Sequence, residues 1–241
     1  MGPRTRTTLT PKAETRTATL VGKGIYPIPV AARLSKVSER RIRYWLKRLE
    51  SENAREDNRF WQGEHQPIDL KIVLGFLDLQ EVRFVEAFLR AGVSWKVLRA
   101  AHEVARKRYH NEHPFCTRTF ATDGKHIIEE LKNASDQIEY EEIAKTQKVF
   151  TSVVHPFIRD LEFSADKRLL RWWPLGPQRS VVLDPHRQFG QPIVTDAGVA
   201  TEILYLAVKA GQSERDVANW YEVQESGVRD AVDFEEWLAA A

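Results

Sequence analysis

His110, His113 and Cys116 stand three residues apart, and two imidazoles with a thiolate are ligands that could seat zinc. Pro114 would break the helix needed to align them, and no fourth ligand stands nearby at a familiar zinc spacing. A metal-dependent enzyme built on this trio is one reading to weigh, with no metal ligand assigned. The pairs Glu129-Glu130 and Glu141-Glu142 are adjacent on the chain and could bind a cation only with help from elsewhere. The sequence carries no glycine-rich phosphate loop, no Gly-x-Ser-x-Gly elbow and no His-Glu-x-x-His helix. No catalytic residue and no cofactor is expected.

A different chemistry is written into residues 38–49. Arg40, Arg41, Arg43, Tyr44, Lys47 and Arg48 lie off an apolar stripe of Ile42, Trp45, Leu46 and Leu49, spaced i, i+3, i+4 and i+7. A helix buried on one side and basic on the other suits a polyanion, and arginine near its start could reach guanine edges. Ser38 is a good N-cap for that helix. Before it, Pro29 fits a first helical turn, Val30, Ala31 and Leu34 follow with helical spacing, and Ser35-Lys36-Val37 make a break. Two short helices around a buried Val37 predict a helix-turn-helix.

The segment Tyr26–Trp45, above all Leu34-Ser35-Lys36-Val37-Ser38 with Ile42-Arg43-Tyr44-Trp45, resembles the DNA-binding head of MerR-type regulators. The resemblance implies that Arg43 and Tyr44 sit on the phosphate backbone while Arg40 and Arg41 face the bases. With Ser38 and Lys47 these make the expected DNA-binding set. A MerR-type head would carry a wing over residues 51–69, but its glycine-leucine opening and arginine-tyrosine finish are not matched here. Leu79, Val82, Val85, Phe88 and Leu89 then predict a helix ending at Ala91-Gly92. Ser94 caps another, with Val97, Leu98, Ala101 and Val104 inward. This pair resembles the second helix pair of the same head and would complete its core. The expected head covers 25–112, behind a threonine-rich flexible arm over 1–24.

The chain has 241 residues, 42% apolar and 29% charged, which excludes fibrous or wholly disordered classes. No apolar run approaches a membrane span. One cysteine, Cys116, cannot form an internal disulfide and suits a reducing cytoplasm. The net charge of +2 hides a gradient: +8 over residues 1–60, +1 over 61–180 and −7 over 181–241. The basic head suits a nucleic acid, whereas the acidic end would be repelled by one.

Over 113–180 the sequence predicts a small α+β unit. Phe115–Phe120 and His126–Ile128 flank Thr122-Asp123-Gly124-Lys125, the pattern of a β-hairpin. Glu139–Ile143 reads as a short strand or helix edge, and Val149–Leu161 as an apolar helix interrupted by Pro156. Arg168–Trp173 and Val181–Leu183 read as strands, with Trp172-Trp173 a core anchor. Over 181–241 three short helices are predicted. Val199, Ile203, Leu206 and Ala207 mark the first. Ser213-Glu214-Arg215-Asp216 caps the second, with Val217, Ala218 and Tyr221 inward. Val228, Ala231, Val232, Phe234 and Trp237 mark the third. The fold class expected is α+β, mainly α.

The run from Asp184-Pro185 through Phe189-Gly190-Gln191-Pro192 and Ala210-Gly211-Gln212-Ser213 to Phe234-Glu235 resembles a bacterial domain-of-unknown-function family. Its members commonly sit beside PIN-like ribonuclease toxins. Together with the basic head and Arg171-Trp172-Trp173-Pro174-Leu175-Gly176, the whole looks like a long VapB-type antitoxin. That resemblance implies a cytoplasmic protein that neutralises a PIN-like toxin and represses its own operon on operator DNA, as a dimer or a toxin-bridged assembly. Phe234, Trp237 and Leu238, at i, i+3 and i+4 among Asp233, Glu235 and Glu236, are the expected toxin-binding residues. The alternative is a one-component MerR-like regulator whose middle unit binds a small molecule.

Overall fold

The structure, a computed structural model, describes residues 20–47, 61, 63–68, 71–134 and 140–240, without the side chains of 47, 129–130, 132–134 and 140. Most of the 1–24 arm, Arg48, Leu49 and most of the 51–69 segment therefore lie outside the described residues. The architecture is mainly α with two small sheets, as the patterning predicts.

Helix α1, Ile28–Ser35, opens on Pro29 and buries Ile28, Ala31 and Leu34. Lys36 stops it in the left-handed conformation at φ 58°. Val37 is buried, and the Ser38 hydroxyl accepts from the Arg41 N–H at 3.4 Å to start α2, Glu39–Lys47. Ile42 and Trp45 turn inward on α2. Strand β1, Tyr26–Pro27, pairs with β2, Val73–Leu74. They lead into α3, Phe76–Arg90, and α4, Trp95–Tyr109, which Ser94 caps by accepting from Val97 N–H at 3.3 Å. Leu79, Val82, Val85 and Phe88 are all core. Trp95 stacks on Trp45 at 6.0 Å between ring centres, fastening α4 to α2.

The expected hairpin at 115–128 is not formed. Pro114–Cys116 makes one 3-10 turn and α5 runs straight through from Arg118 to Ala134. Phe120, Ile127, Ile128 and Leu131 are buried together at helical spacing. Gly124 lies where α5 crosses α6, Tyr140–Arg159, and a Cβ there would collide with the Phe150 ring. The Asp-Gly step is thus a packing notch, not a turn. Of the two readings of Glu139–Ile143, helix edge is the one formed, since Tyr140 opens α6. Helix α6 runs on through Pro156 to Arg159 and is not interrupted there.

Strands β3 (Leu161–Phe163), β4 (Leu169–Trp172), β5 (Val181–Leu183) and β6 (Pro192–Val194) form one antiparallel sheet in that order. Two strands come from each side of residue 180. Trp172 is buried, with the Arg83 guanidinium 3.6 Å from its ring centre and 4.5 Å from that of Phe157. Burial pulls Arg83 down to about 9, a cost that facing two aromatic rings helps to offset. Helices α7 (Thr201–Lys209), α8 (Glu214–Tyr221) and α9 (Glu225–Ala239) complete the chain. Val194, Leu204, Val217, Val223, Val228 and Ala231 form their own small core. Phe234 and Leu238 belong instead to the large core that also holds Tyr26, Leu34 and Val37.

Candidate nucleic-acid and partner interfaces

Residues 40, 43 and 44 are spaced i, i+3 and i+4, so they share one face of α2. All three side chains are exposed there, Tyr44 by 55%. Arg43 pairs with Glu39 one turn earlier at 2.8 Å, leaving it at the surface. Ser38 is exposed at the helix start. Lys47 closes the helix, its side chain being among those not described.

Arg41 points elsewhere. Both of its terminal nitrogens lie 2.9 Å from the Glu86 carboxylate on α3, and its guanidinium is 5.2 Å from the Trp45 ring centre. Glu86 is buried and also accepts from Arg90 Nε at 2.8 Å. One charge-assisted hydrogen bond, Arg41 Nη1 to Glu86 Oε1, with the second nitrogen in ion-pair range, fixes the guanidinium against α3. The reading of Arg41 as base-facing competes with this tie, which holds α2 against the helix behind it.

The C-terminal helix meets the same corner of the molecule. Phe234 is fully buried and Leu238 nearly so. Trp237 is half-buried, its ring centre 5.7 Å from that of Phe234. Lys36, in the turn between α1 and α2, stands 4.1 Å over the Trp237 ring and donates to the Trp237 and Leu238 carbonyls. Arg33 approaches Glu235 at 3.9 Å. The three expected toxin-binding residues thus sit where α9 packs on α1 and its following turn. The large apolar side chains this unit leaves in the open are others: Phe189, Ile203, Leu206 and Trp220. Ile203 and Leu206 mark this helix in the sequence by their spacing, yet the buried position is Leu204. An excess of apolar residues round α7 beyond what one core stripe needs was the available signal.

The His110–Cys116 trio is drawn apart. His110 is the exposed, left-handed C-cap of α4. His113 is buried, its Nε2 2.8 Å from Asp78 Oδ1. Cys116 Sγ donates to Glu81 Oε2 at 3.0 Å. Burial, then the Glu81 charge and hydrogen bond, push the Cys116 thiol well above its ordinary range, the opposite of the lowered thiol of a reactive cysteine. Among the described residues no group of three or more His, Cys, Asp or Glu is placed to hold a metal ion.

These groups form a buried polar cluster instead. Asp78 accepts from Trp61 Nε1 at 2.8 Å, Gly75 N–H at 2.8 Å and Glu64 N–H at 3.0 Å. Burial alone would raise Asp78, but His113 and the backbone donors outweigh it and hold the carboxyl below its usual range. Burial lowers His113 in turn, yet Asp78, Glu81 and Glu64 more than reverse that, leaving it raised. Burial and the Asp78 charge lift Glu64 to about 7. His102 completes the cluster 2.9 Å from Glu81. Beside it opens a cavity of about 470 Å³, lined among others by Glu64, His113, Thr117, Lys167 and His186. No single motif announces this cluster, whose members are spread from residue 61 to residue 116.

Comparison with known proteins bears on the acidic end first. Residues 181–234 match the family described as a protein of unknown function, DUF433. The chain is 26% identical over 170 residues to the candidate antitoxin VapB45 of Mycobacterium tuberculosis, a match covering 66% of this chain and 70% of that one. The crystal structure of Rv2018 from Mycobacterium tuberculosis superposes with a TM-score of 0.68 at 21% identity, over 86% of this chain and 96% of the other. The two share a fold. No helix among the described residues is long and apolar enough to cross a membrane.

Proposed function

We propose that this chain is the antitoxin of a toxin–antitoxin pair. In that role its acidic C-terminal unit sequesters a PIN-like ribonuclease, and the exposed row Arg40, Arg43 and Tyr44 on α2 binds operator DNA as part of a helix-turn-helix, repressing its own operon. The observation that carries the reading is the similarity to VapB45, which runs over about two thirds of both chains. The charge gradient supports a division of labour, since the −7 end is unsuited to DNA and the +8 end is suited to it. Neutralisation is steric and electrostatic, without turnover, in the cytoplasm. One such helix reads only a few base pairs, so operator binding needs two copies, as a dimer or bridged by toxin. Co-expression with the product of the adjacent reading frame tests the reading. Growth arrest by that product alone, relieved when this chain is present, is expected; arrest that persists refutes it.

The cavity between the head and the sheet favours a second reading, a one-component regulator holding a small polar molecule there. Repression that survives deletion of the adjacent reading frame and is relieved by a metabolite would select it.

A further inference from the structure

Large apolar side chains at the surface are few, and four of the seven among the described residues fall between 181 and 234: Phe189, Ile203, Leu206 and Trp220. Trp220 is 62% exposed and Leu206 56%. Ile203 and Leu206 lie one turn apart on the outer side of α7, and Trp220 on the outer side of α8, the next helix along the chain. Exposed leucine, isoleucine and tryptophan on two consecutive helices mark a surface built to be covered.

Charge says by what. Leu206 and Trp220 each have an exposed acid one helical turn before them: Glu202 before Leu206, and Asp216 before Trp220. Residues 201–241 hold nine acids and three bases. Arg229 is already held by Glu214 at 2.8 Å and by Glu225, Lys209 lies 3.9 Å from Glu236, and exposed Arg215 is a lone base among nine acids. The rim is therefore acidic. A second copy of the same face would set acid against acid, and a nucleic acid would be repelled outright. A basic protein surface is complementary in both shape class and sign.

We infer that the outer face of α7 and α8, with Leu206 and Trp220 as anchors and Glu202 and Asp216 as rim, docks a basic protein. This rests on the antitoxin reading, in which that protein is the toxin, and it moves the contact away from Phe234 and Leu238, which the fold consumes. The probe is the purified product of the adjacent reading frame, titrated with the full chain and with the Leu206→Ala/Trp220→Ala double variant by calorimetry. Both side chains are exposed, so the variant should keep its melting temperature while affinity falls about thirtyfold or more. Association of the unaltered chain should slow as salt rises, and Glu202→Lys with Asp216→Lys should slow it further at low salt. Equal affinity of the double variant overturns the surface and leaves the antitoxin reading standing. No binding by the unaltered chain removes that reading and this one with it. A dimer of the chain alone that the double variant dissociates would show that a second copy covers the face, and salt-independent association would overturn the basic partner.

Discussion

Removing the Trp237 side chain asks whether the last helix belongs to the fold or to a partner. The indole is half-buried, rests on Phe234 at 5.7 Å and lies 4.1 Å beneath the Lys36 ammonium. Trp237→Ala would return on the order of 100 Å² of apolar surface to water, about 2.5 kcal/mol at 25 cal/mol per Å² and an upper bound for a realistic unfolded chain. A cation–π contact at an open site adds about 0.5 kcal/mol. A loss of about 2 kcal/mol in a chain of this size lowers the melting temperature by roughly 4–8 °C. Thermal unfolding followed by near-ultraviolet circular dichroism reads this directly. A melting temperature unchanged within a degree, together with weaker binding to the adjacent-frame product, would refute the packing argument and return Trp237 to the partner interface that the sequence suggests.

The arginines of α2 should separate into two kinds. Arg40→Ala with Arg43→Ala should weaken operator binding and flatten its salt dependence by about one unit of slope, for the phosphate contact of Arg43, without lowering stability, whereas Arg41→Ala should cost about 1 kcal/mol by leaving buried Glu86 to Arg90 alone; gel-shift titrations across salt and denaturant melts measure the two. Glu64 has its folded pKa raised to about 7 from 4.5, so its contribution to stability is full below about pH 4.5 and is lost as pH rises to 7. Glu64→Gln keeps the acceptor for Leu77 N–H and should stabilise the protein at pH 8 by at most about 3 kcal/mol, with little change at pH 4.5; equal effects at both pH values in urea melts would contradict the assignment. Gly124→Ala should cost about 1–3 kcal/mol by pressing on Phe150. An unchanged urea midpoint would mean that α5 and α6 are not packed at that notch.

Where local signals and tertiary packing agreed, the elements were legible. Ser94 and Ser213 both cap as their sequences suggest, accepting from Val97 and Asp216 N–H, and Val181–Leu183 reads as a buried strand because it is one. Asp123-Gly124 was misleading because a glycine that admits a crossing helix and one that makes a turn look alike in a single sequence. The phase of α7 was missed for a related reason: Ile203, Leu204, Leu206 and Val208 offer more than one apolar stripe, and only the packing of α9 selects Leu204. Arg41 has the right spacing for a polyanion, but its partner Glu86 lies 45 positions on. Asp78, Glu81 and Glu86 fall outside the apolar stripe that marks α3 in the sequence, yet neighbours enclose that helix nearly all round and bury all three. The expected acidic and basic ends were visible from counting charges, whereas the exposed apolar side chains needed coordinates.

The most direct test of the antitoxin account is a titration of ribonuclease activity. The product of the adjacent reading frame, assayed on structured RNA, should lose activity linearly as the full chain is added and reach background at a fixed stoichiometric end point. Activity that survives a several-fold excess of correctly folded chain would contradict the account.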